Sequence, residues 1–60
     1  MKNIEFTICK DPKNYDPEGV EYWVYEEVIR VEQRTKYVVI FMADRSAFIP
    51  LPWIVKVKEL

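Results

Sequence analysis

The sequence contains no histidine, one cysteine, one glycine and one serine, and each shortage excludes a class of chemistry. Without histidine, Ser-His and Cys-His dyads cannot form, and the zinc sites that combine His with Cys are excluded. The single Cys9 has no partner for an internal disulfide, and one glycine cannot supply a glycine-rich phosphate loop. We therefore expect a protein that is not an enzyme, with no catalytic residues, no metal site and no cofactor.

Charge and hydropathy narrow the range of partners. Nine basic and ten acidic residues give a net charge of -1, and the two signs are interspersed. Because nucleic-acid binders normally carry a basic excess, this balance argues against nucleic acid as a partner. The longest apolar run, Tyr37 to Ala43, is too short to cross a bilayer, and the N-terminus lacks the apolar region of a signal peptide. With its lone thiol, the chain is expected to be cytoplasmic and not associated with a membrane.

Sixty residues predict one small domain, 1–60. A chain of this length buries only about 60% of its unfolded surface, so its stability depends on good packing or on self-association. Half of the residues are hydrophobic and 15% are aromatic, a composition that favours folding. The richness in valine and isoleucine favours strands.

The first third of the chain predicts one strand and one loop. Residues 2–9 alternate between apolar and polar, which is typical of a strand with one wet face, and the residues expected to point inward are Ile4, Phe6 and Ile8. Residues 10–19 hold two Asp-Pro steps and the only glycine, so they predict a loop. We expect Cys9 to have a structural role, since nothing near it in the sequence activates a thiol.

The segment Val20–Gln33 has three interpretations. A helix would place four residues on one face, which are Tyr22, Tyr25, Val28 and Ile29. The β-branched and aromatic residues of the segment favour strand instead. Because the apolar phase changes around Glu26, the segment predicts either two strands or one long strand with a bend or bulge there.

The second half of the chain predicts three further strands. The run Tyr37–Ala43 is apolar at every position, which is typical of a central strand or of a strand whose second face is covered by another subunit. It is expected to form a hairpin with Ala47–Pro50. Two prolines then predict a 3₁₀ turn at Leu51–Trp53, and Ile54–Glu59 closes the chain as a strand.

The closing residues Ala-Phe-Ile-Pro-Leu-Pro-Trp-Ile-Val (Ala47–Val55) resemble the end of a Src-homology-3 (SH3) type barrel. In that family a strand ends at Ile-Pro, one 3₁₀ turn follows, and an aromatic residue and Val open the last strand. Pro50 and Trp53 match the family's ligand-groove positions. The usual Ser-Asn is replaced by Leu51-Pro52 and the Ala-Leu-Tyr-Asp-Tyr signature is missing, so the resemblance implies a barrel shape and not proline-rich ligand recognition. The expected fold class is all-β, a small five- to six-stranded antiparallel meander or a partly open SH3-like barrel.

The longer segment Trp23–Pro50 is similar to the YcxB-like domains of bacteria. It shares a Trp, a charged strand ending Val-Ile-Arg-Val-Glu, an apolar strand opened by Tyr, and a strand ending Phe-Ile-Pro. In that family the domain is usually the cytosolic part of a membrane protein, whereas this chain has no membrane helix, and Leu51-Pro52 replaces the family's basic residues. The similarity implies a bacterial source and says little about function, whereas the small size of the chain suggests a phage origin.

The aromatic residues allow two interpretations. In the first, Trp23 and Phe48 belong to the core and the tyrosines lie at the sheet edge with wet hydroxyls. In the second, Tyr22 or Tyr25 forms an exposed aromatic patch with Trp53, because such residues dominate interface hot spots. The charged residues between the two halves of the chain are expected to form a solvated rim, which comprises Glu26, Glu27, Arg30, Glu32, Arg34 and Lys36.

The leading functional hypothesis is a small non-enzymatic interaction or regulatory module that binds a larger protein partner. Its candidate binding residues are Tyr22, Tyr25, Pro50 and Trp53. Two alternatives stay open. One is a small barrel that binds single-stranded nucleic acid on aromatic platforms. The other is a homodimer or larger homo-oligomer in which a second copy covers Tyr37–Ala43.

Overall fold

A computed structural model describes all 60 residues as one antiparallel sheet of five strands. The strands are β1 (Lys2–Ile8), β2 (Glu21–Gln33), β3 (Tyr37–Met42), β4 (Ser46–Pro50) and β5 (Ile54–Glu59). Their order across the sheet is β4-β3-β2-β1-β5, and 3₁₀ turns at Pro12–Asn14, Pro17–Gly19 and Leu51–Trp53 are the only helical segments. The expected all-β class is confirmed, and the 3₁₀ turn before the last strand lies where its prolines predict it.

The 13-residue strand β2 links the two halves of the sheet. Its first part pairs with β1, and its second part, from Val28 to Gln33, pairs with β3. Between them Glu27 has a φ of 55°, the one positive φ in the chain. The pairing also shifts register on both sides of Val28, which is how β-bulges insert an extra residue. The interpretation as one long strand bent near Glu26 is therefore confirmed, and the helix and two-strand alternatives are wrong.

The core lies on the inner face of this bent sheet. Its buried members come from four strands, and they are Ile4, Phe6, Ile8, Val28, Val38, Ile40, Met42 and Ile49. The expected inward direction of the β1 residues is confirmed. The two bulges explain the phase change of the sequence, since Tyr25, Val28 and Val31 all pair with inner-face residues although their spacing is not even.

The segment that follows β1 is held by local hydrogen bonds. The Asp16 side chain accepts a hydrogen bond from the Glu18 amide at 3.0 Å, which caps the second 3₁₀ turn. Cys9 is 5% exposed, its amide donates to the Trp53 carbonyl at 2.8 Å, and its thiol donates to the Asp11 carbonyl at 3.2 Å. Burial and these bonds are what a structural cysteine requires.

The inner face is open at one place, between the second part of β2 and β5. A groove of about 640 Å³ runs there over the core residues Ile4, Phe6 and Val38. Val31 and Val57 line this groove. Each pairs with a buried residue, yet Val31 is 40% exposed and Val57 is 53% exposed. The sheet is therefore curved but does not close over its core at this corner.

No segment has the length and hydropathy of a helix that spans a membrane. No three His, Cys, Asp or Glu side chains converge on a point where they could share a metal ion.

Glu27 provides a test of the bend. A residue other than glycine pays roughly 1–2 kcal/mol to adopt the left-handed region, whereas glycine adopts it freely. We expect Glu27→Gly to raise the free energy of unfolding by about 1 kcal/mol, which for a domain of this size raises Tm by roughly 4–8 °C. The control is Glu26→Gly, which should lower stability because Glu26 lies in ordinary extended strand. Equal loss of stability in both variants, measured by thermal and urea unfolding, would contradict the account of the bend.

Candidate functional site: the outer face of β3 and β4

The side of the sheet that faces away from the core is apolar over β3 and β4. Cross-strand pairing places Val39 beside Phe48, Tyr37 beside Pro50, and Phe41 beside Ser46. These residues alternate with the core residues of the same strands, so they share the opposite face. We call Tyr37, Val39, Phe41, Phe48 and Pro50 the outer aromatic face.

Two aromatic rings dominate this face. Phe48 is 63% exposed and Tyr37 is 41% exposed, and their rings meet edge to face with centroids 5.6 Å apart. Val39 lies in the middle of the face and is only 4% exposed, although the five strands form one sheet with no second sheet over it. Its neighbours on the same face therefore cover it, and the face is a continuous apolar surface around a buried centre.

Charged side chains of β2 border the outer aromatic face. Glu32 pairs with Val39 in the register, and its carboxylate accepts a hydrogen bond from Arg30 Nε at 2.6 Å. The same carboxylate forms an ion pair with Arg34 Nη2, also at 2.6 Å. Arg30 also lies over the Phe41 ring, 4.2 Å from its centroid. The hydrogen bond from Arg30, followed by the nearby charges of Arg34 and Arg30, lowers the pKa of Glu32 below its ordinary value despite some desolvation.

Of the four residues that the sequence nominates for binding, Pro50 alone belongs to the outer aromatic face. Tyr22 is 63% exposed and pairs with Thr7, so it lies on the outer face of the other half of the sheet. There it borders a hollow of about 270 Å³ together with Tyr15, Lys56 and two residues of β1. Tyr22 and Pro50 therefore lie on different surfaces.

Tyr25 and Trp53 lie on the inner side. Tyr25 packs edge to face on the buried Phe6 ring with centroids 5.8 Å apart, and burial raises the pKa of its hydroxyl despite the nearby charge of Arg45. Trp53 packs on Trp23 with centroids 6.3 Å apart, and both rings are half-buried against the core. The structure thus pairs Trp53 with Trp23 and brings neither tyrosine of the sequence-based patch to it.

The expectation that Phe48 belongs to the core is wrong. Ile49 takes the core position at 0% exposure, and Phe48, one residue earlier, necessarily points to the opposite face. Because Ala47, Phe48 and Ile49 are all apolar, hydrophobic pattern alone does not decide which of them faces inward. The run Tyr37–Ala43, apolar on both faces, was the available signal for an exposed apolar surface here.

Phe48 and Ile49 offer a matched pair for testing the face assignment. Ile49→Ala removes a buried side chain, so we expect it to lower the free energy of unfolding by about 2–5 kcal/mol. Phe48→Ala loses mainly the edge-to-face contact with Tyr37, which is worth about 0.5–1.5 kcal/mol. Urea unfolding of both variants measures the difference. A loss for Phe48→Ala as large as that for Ile49→Ala would place Phe48 in the core after all.

The carboxyl of Glu32 offers a second test, by NMR titration. We expect its pKa to lie below the ordinary glutamate value of 4.5, and to return toward that value in Arg30→Gln, with a smaller return in Arg34→Gln. Because the folded-state pKa is the lower one, the ion pairs stabilise the fold above pH 4.5 and lose that effect as the pH falls through the folded-state pKa. An unchanged Glu32 titration in Arg30→Gln would contradict the geometry.

A comparison of the chain with protein-family models, with curated protein sequences and with solved structures found no match. The function of the outer aromatic face is accordingly argued from its own residues and their contacts.

Proposed function

We propose that the protein is a small non-enzymatic interaction module that binds a larger protein partner through the outer aromatic face. One observation carries the proposal: Phe48 and Tyr37 are 63% and 41% exposed on strands whose other face already fills the core. All five strands lie in one sheet, so no second sheet covers these two rings. A binding partner would bury this apolar surface and gain the corresponding hydrophobic free energy.

The composition of the surface supports the proposal. Tyrosine and arginine are enriched among residues that dominate binding energy, and aromatic residues are generally enriched in protein interfaces. An exposed apolar centre at Tyr37 and Phe48 is bordered by the charged residues Arg30, Glu32 and Arg34, which is the usual anatomy of a protein interface. The sheet beneath holds these side chains on paired strands, so little ordering is needed on binding.

The proposed setting is the cytoplasm, since the one cysteine is buried and has no disulfide partner. A relationship to SH3-type barrels is likewise proposed, supported by the 3₁₀ turn that separates Pro50 from the last strand. Tyr22, Tyr25 and Trp53 are not included in the proposed surface, because they lie on other sides of the sheet.

Affinity capture from a lysate of the source organism tests the proposal. The immobilised chain should retain a protein partner, and Phe48→Ala should lose it because the variant removes the most exposed ring of the face. Tyr22→Ala is the matched control, since Tyr22 is equally exposed at 63% but lies on the other half of the sheet. Circular dichroism and urea unfolding establish that both variants are folded.

The two variants distinguish the surfaces. Loss of the partner with Phe48→Ala and retention with Tyr22→Ala supports the outer aromatic face. If only Tyr22→Ala loses the captured partner, the binding surface lies on the other half of the sheet, which would contradict the proposal. Equal retention by both folded variants would also contradict it.

A further inference from the structure

The residues that border the outer aromatic face carry a net charge opposite in sign to that of the chain as a whole. The whole chain has nine basic and ten acidic residues, a net charge of -1. On the β2 border and the β2–β3 turn lie Arg30, Arg34 and Lys36 with one acid, Glu32, so this border has three positive charges against one negative, or +2. The remainder of the chain therefore carries -3. The turn at the opposite end of the face adds nothing, since its Asp44 and Arg45 cancel.

The one acidic residue of this border, Glu32, is already paired with two arginines. Both guanidinium groups form ion pairs with the Glu32 carboxylate at 2.6 Å, and the Arg30 guanidinium lies 4.2 Å from the centroid of the Phe41 ring. Lys36 is exposed and forms no ion pair. It precedes Tyr37 directly, and Gln33, Arg34, Thr35, Lys36 and Tyr37 together line an open hollow beside the face. The excess positive charge is thus located where the apolar surface ends.

We propose that the partner segment bound by the outer aromatic face is an acidic peptide, with carboxylates directed to Arg34 and Lys36 and large apolar side chains seated on Tyr37 and Phe48. This inference rests on the proposed function and specifies its partner. Opposite charges across an interface accelerate encounter and select the partner, while the apolar contact supplies most of the affinity.

The same charges argue against two other occupants. A second copy of the chain would bring a second +2 border into the same interface, and this excess of one sign of charge is unfavourable there. A nucleic acid strand needs a longer track of cations than this border provides, because its affinity comes from neutralising successive phosphates. The acidic peptide satisfies both the apolar centre and the limited positive charge.

A titration of the ¹⁵N-labelled full chain with two 12-residue peptides tests the inference. The peptides carry identical Phe and Leu positions and differ only in having Glu or Lys at the remaining positions. We expect the Glu peptide to shift amide resonances of β3, β4 and the β2–β3 turn, and the Lys peptide to bind at least about tenfold more weakly. Binding of the Glu peptide should weaken as salt rises from 0.05 to about 0.5 M, because screening shortens the range of the charges.

Two charge-reversal variants locate the effect. Lys36→Glu should weaken the Glu peptide about tenfold or more, since it removes a positive charge beside the face and introduces a negative one. Lys13→Glu is the matched control, because Lys13 is also exposed, unpaired and in a turn, but on the distant loop after β1. It changes the net charge equally and should leave peptide affinity within about twofold.

Several outcomes would overturn the inference. In the peptide titrations, these are equal affinity for the Glu and Lys peptides, no binding of either peptide, and an equal loss of affinity in both variants. Self-association of the free chain through Phe48 would also overturn it. So would tighter binding of a 12-nucleotide oligothymidine that shifts the same resonances. None of these decides the proposed function, which depends on whether Phe48→Ala loses the captured protein. If Phe48→Ala loses the captured partner and Lys36→Glu keeps it, the proposed interaction surface is supported and the proposed preference for an acidic partner is contradicted.

Discussion

One strand, β2, belongs to both halves of the sheet, and it does so only because its backbone bends at Glu27. The positive φ there and the adjoining bulges turn the strand so that Tyr25 and Val28 both face the core although they are three positions apart. A straight 13-residue strand would direct part of its inner row to solvent. The bend thus lets eight buried residues form one core in a chain of sixty.

The same curvature decides what stays exposed. Each strand has two faces, and the bent sheet encloses only one of them. On β1 the outer face is polar, as expected for a strand against water, but on β3 and β4 it is apolar and aromatic. The exposed rings of Tyr37 and Phe48 are therefore a property of the sequence and not of an open or frayed region, since Val38 and Ile49 beside them are firmly buried.

Features that depend on local chemistry could be predicted from the sequence. The alternation of β1, the β3–β4 hairpin and the 3₁₀ turn at Leu51–Trp53 follow from side-chain period and from proline, and the solvated border of charged residues follows from composition. The direction of Phe48 could not be predicted, because three successive apolar residues fit either phase and only register with β3 decides between them. The bulge was visible in the sequence as a change of phase in the apolar pattern near Glu26. That Tyr25 faces the core was not visible, because its position there depends on its contact with Phe6.

Of the candidate site, the sequence nominated Pro50 for binding and marked Tyr37–Ala43 as a strand with an apolar second face, but it did not identify Phe48. The sequence-based patch joined Tyr22, Tyr25 and Trp53 through their aromatic character and their positions along the chain. Cross-strand pairing separates them, because Tyr22 faces Thr7 and Tyr25 faces Ile4 on opposite sides of the sheet. The salt-bridged Arg30, Glu32 and Arg34 were expected in a solvated rim, and only the folded strand shows that they converge beside aromatic rings.

The central claim is that β3 and β4 present their outer side to a partner. A cross-saturation NMR experiment on the deuterated, ¹⁵N-labelled chain bound to its captured protein tests this most directly, because saturation passes only to amides at the interface. The account predicts the strongest signal loss at Val39 and Phe48, with the neighbouring Tyr37 also affected. Signal loss centred on Tyr22 and the outer face of β1, with β4 unaffected, would contradict it.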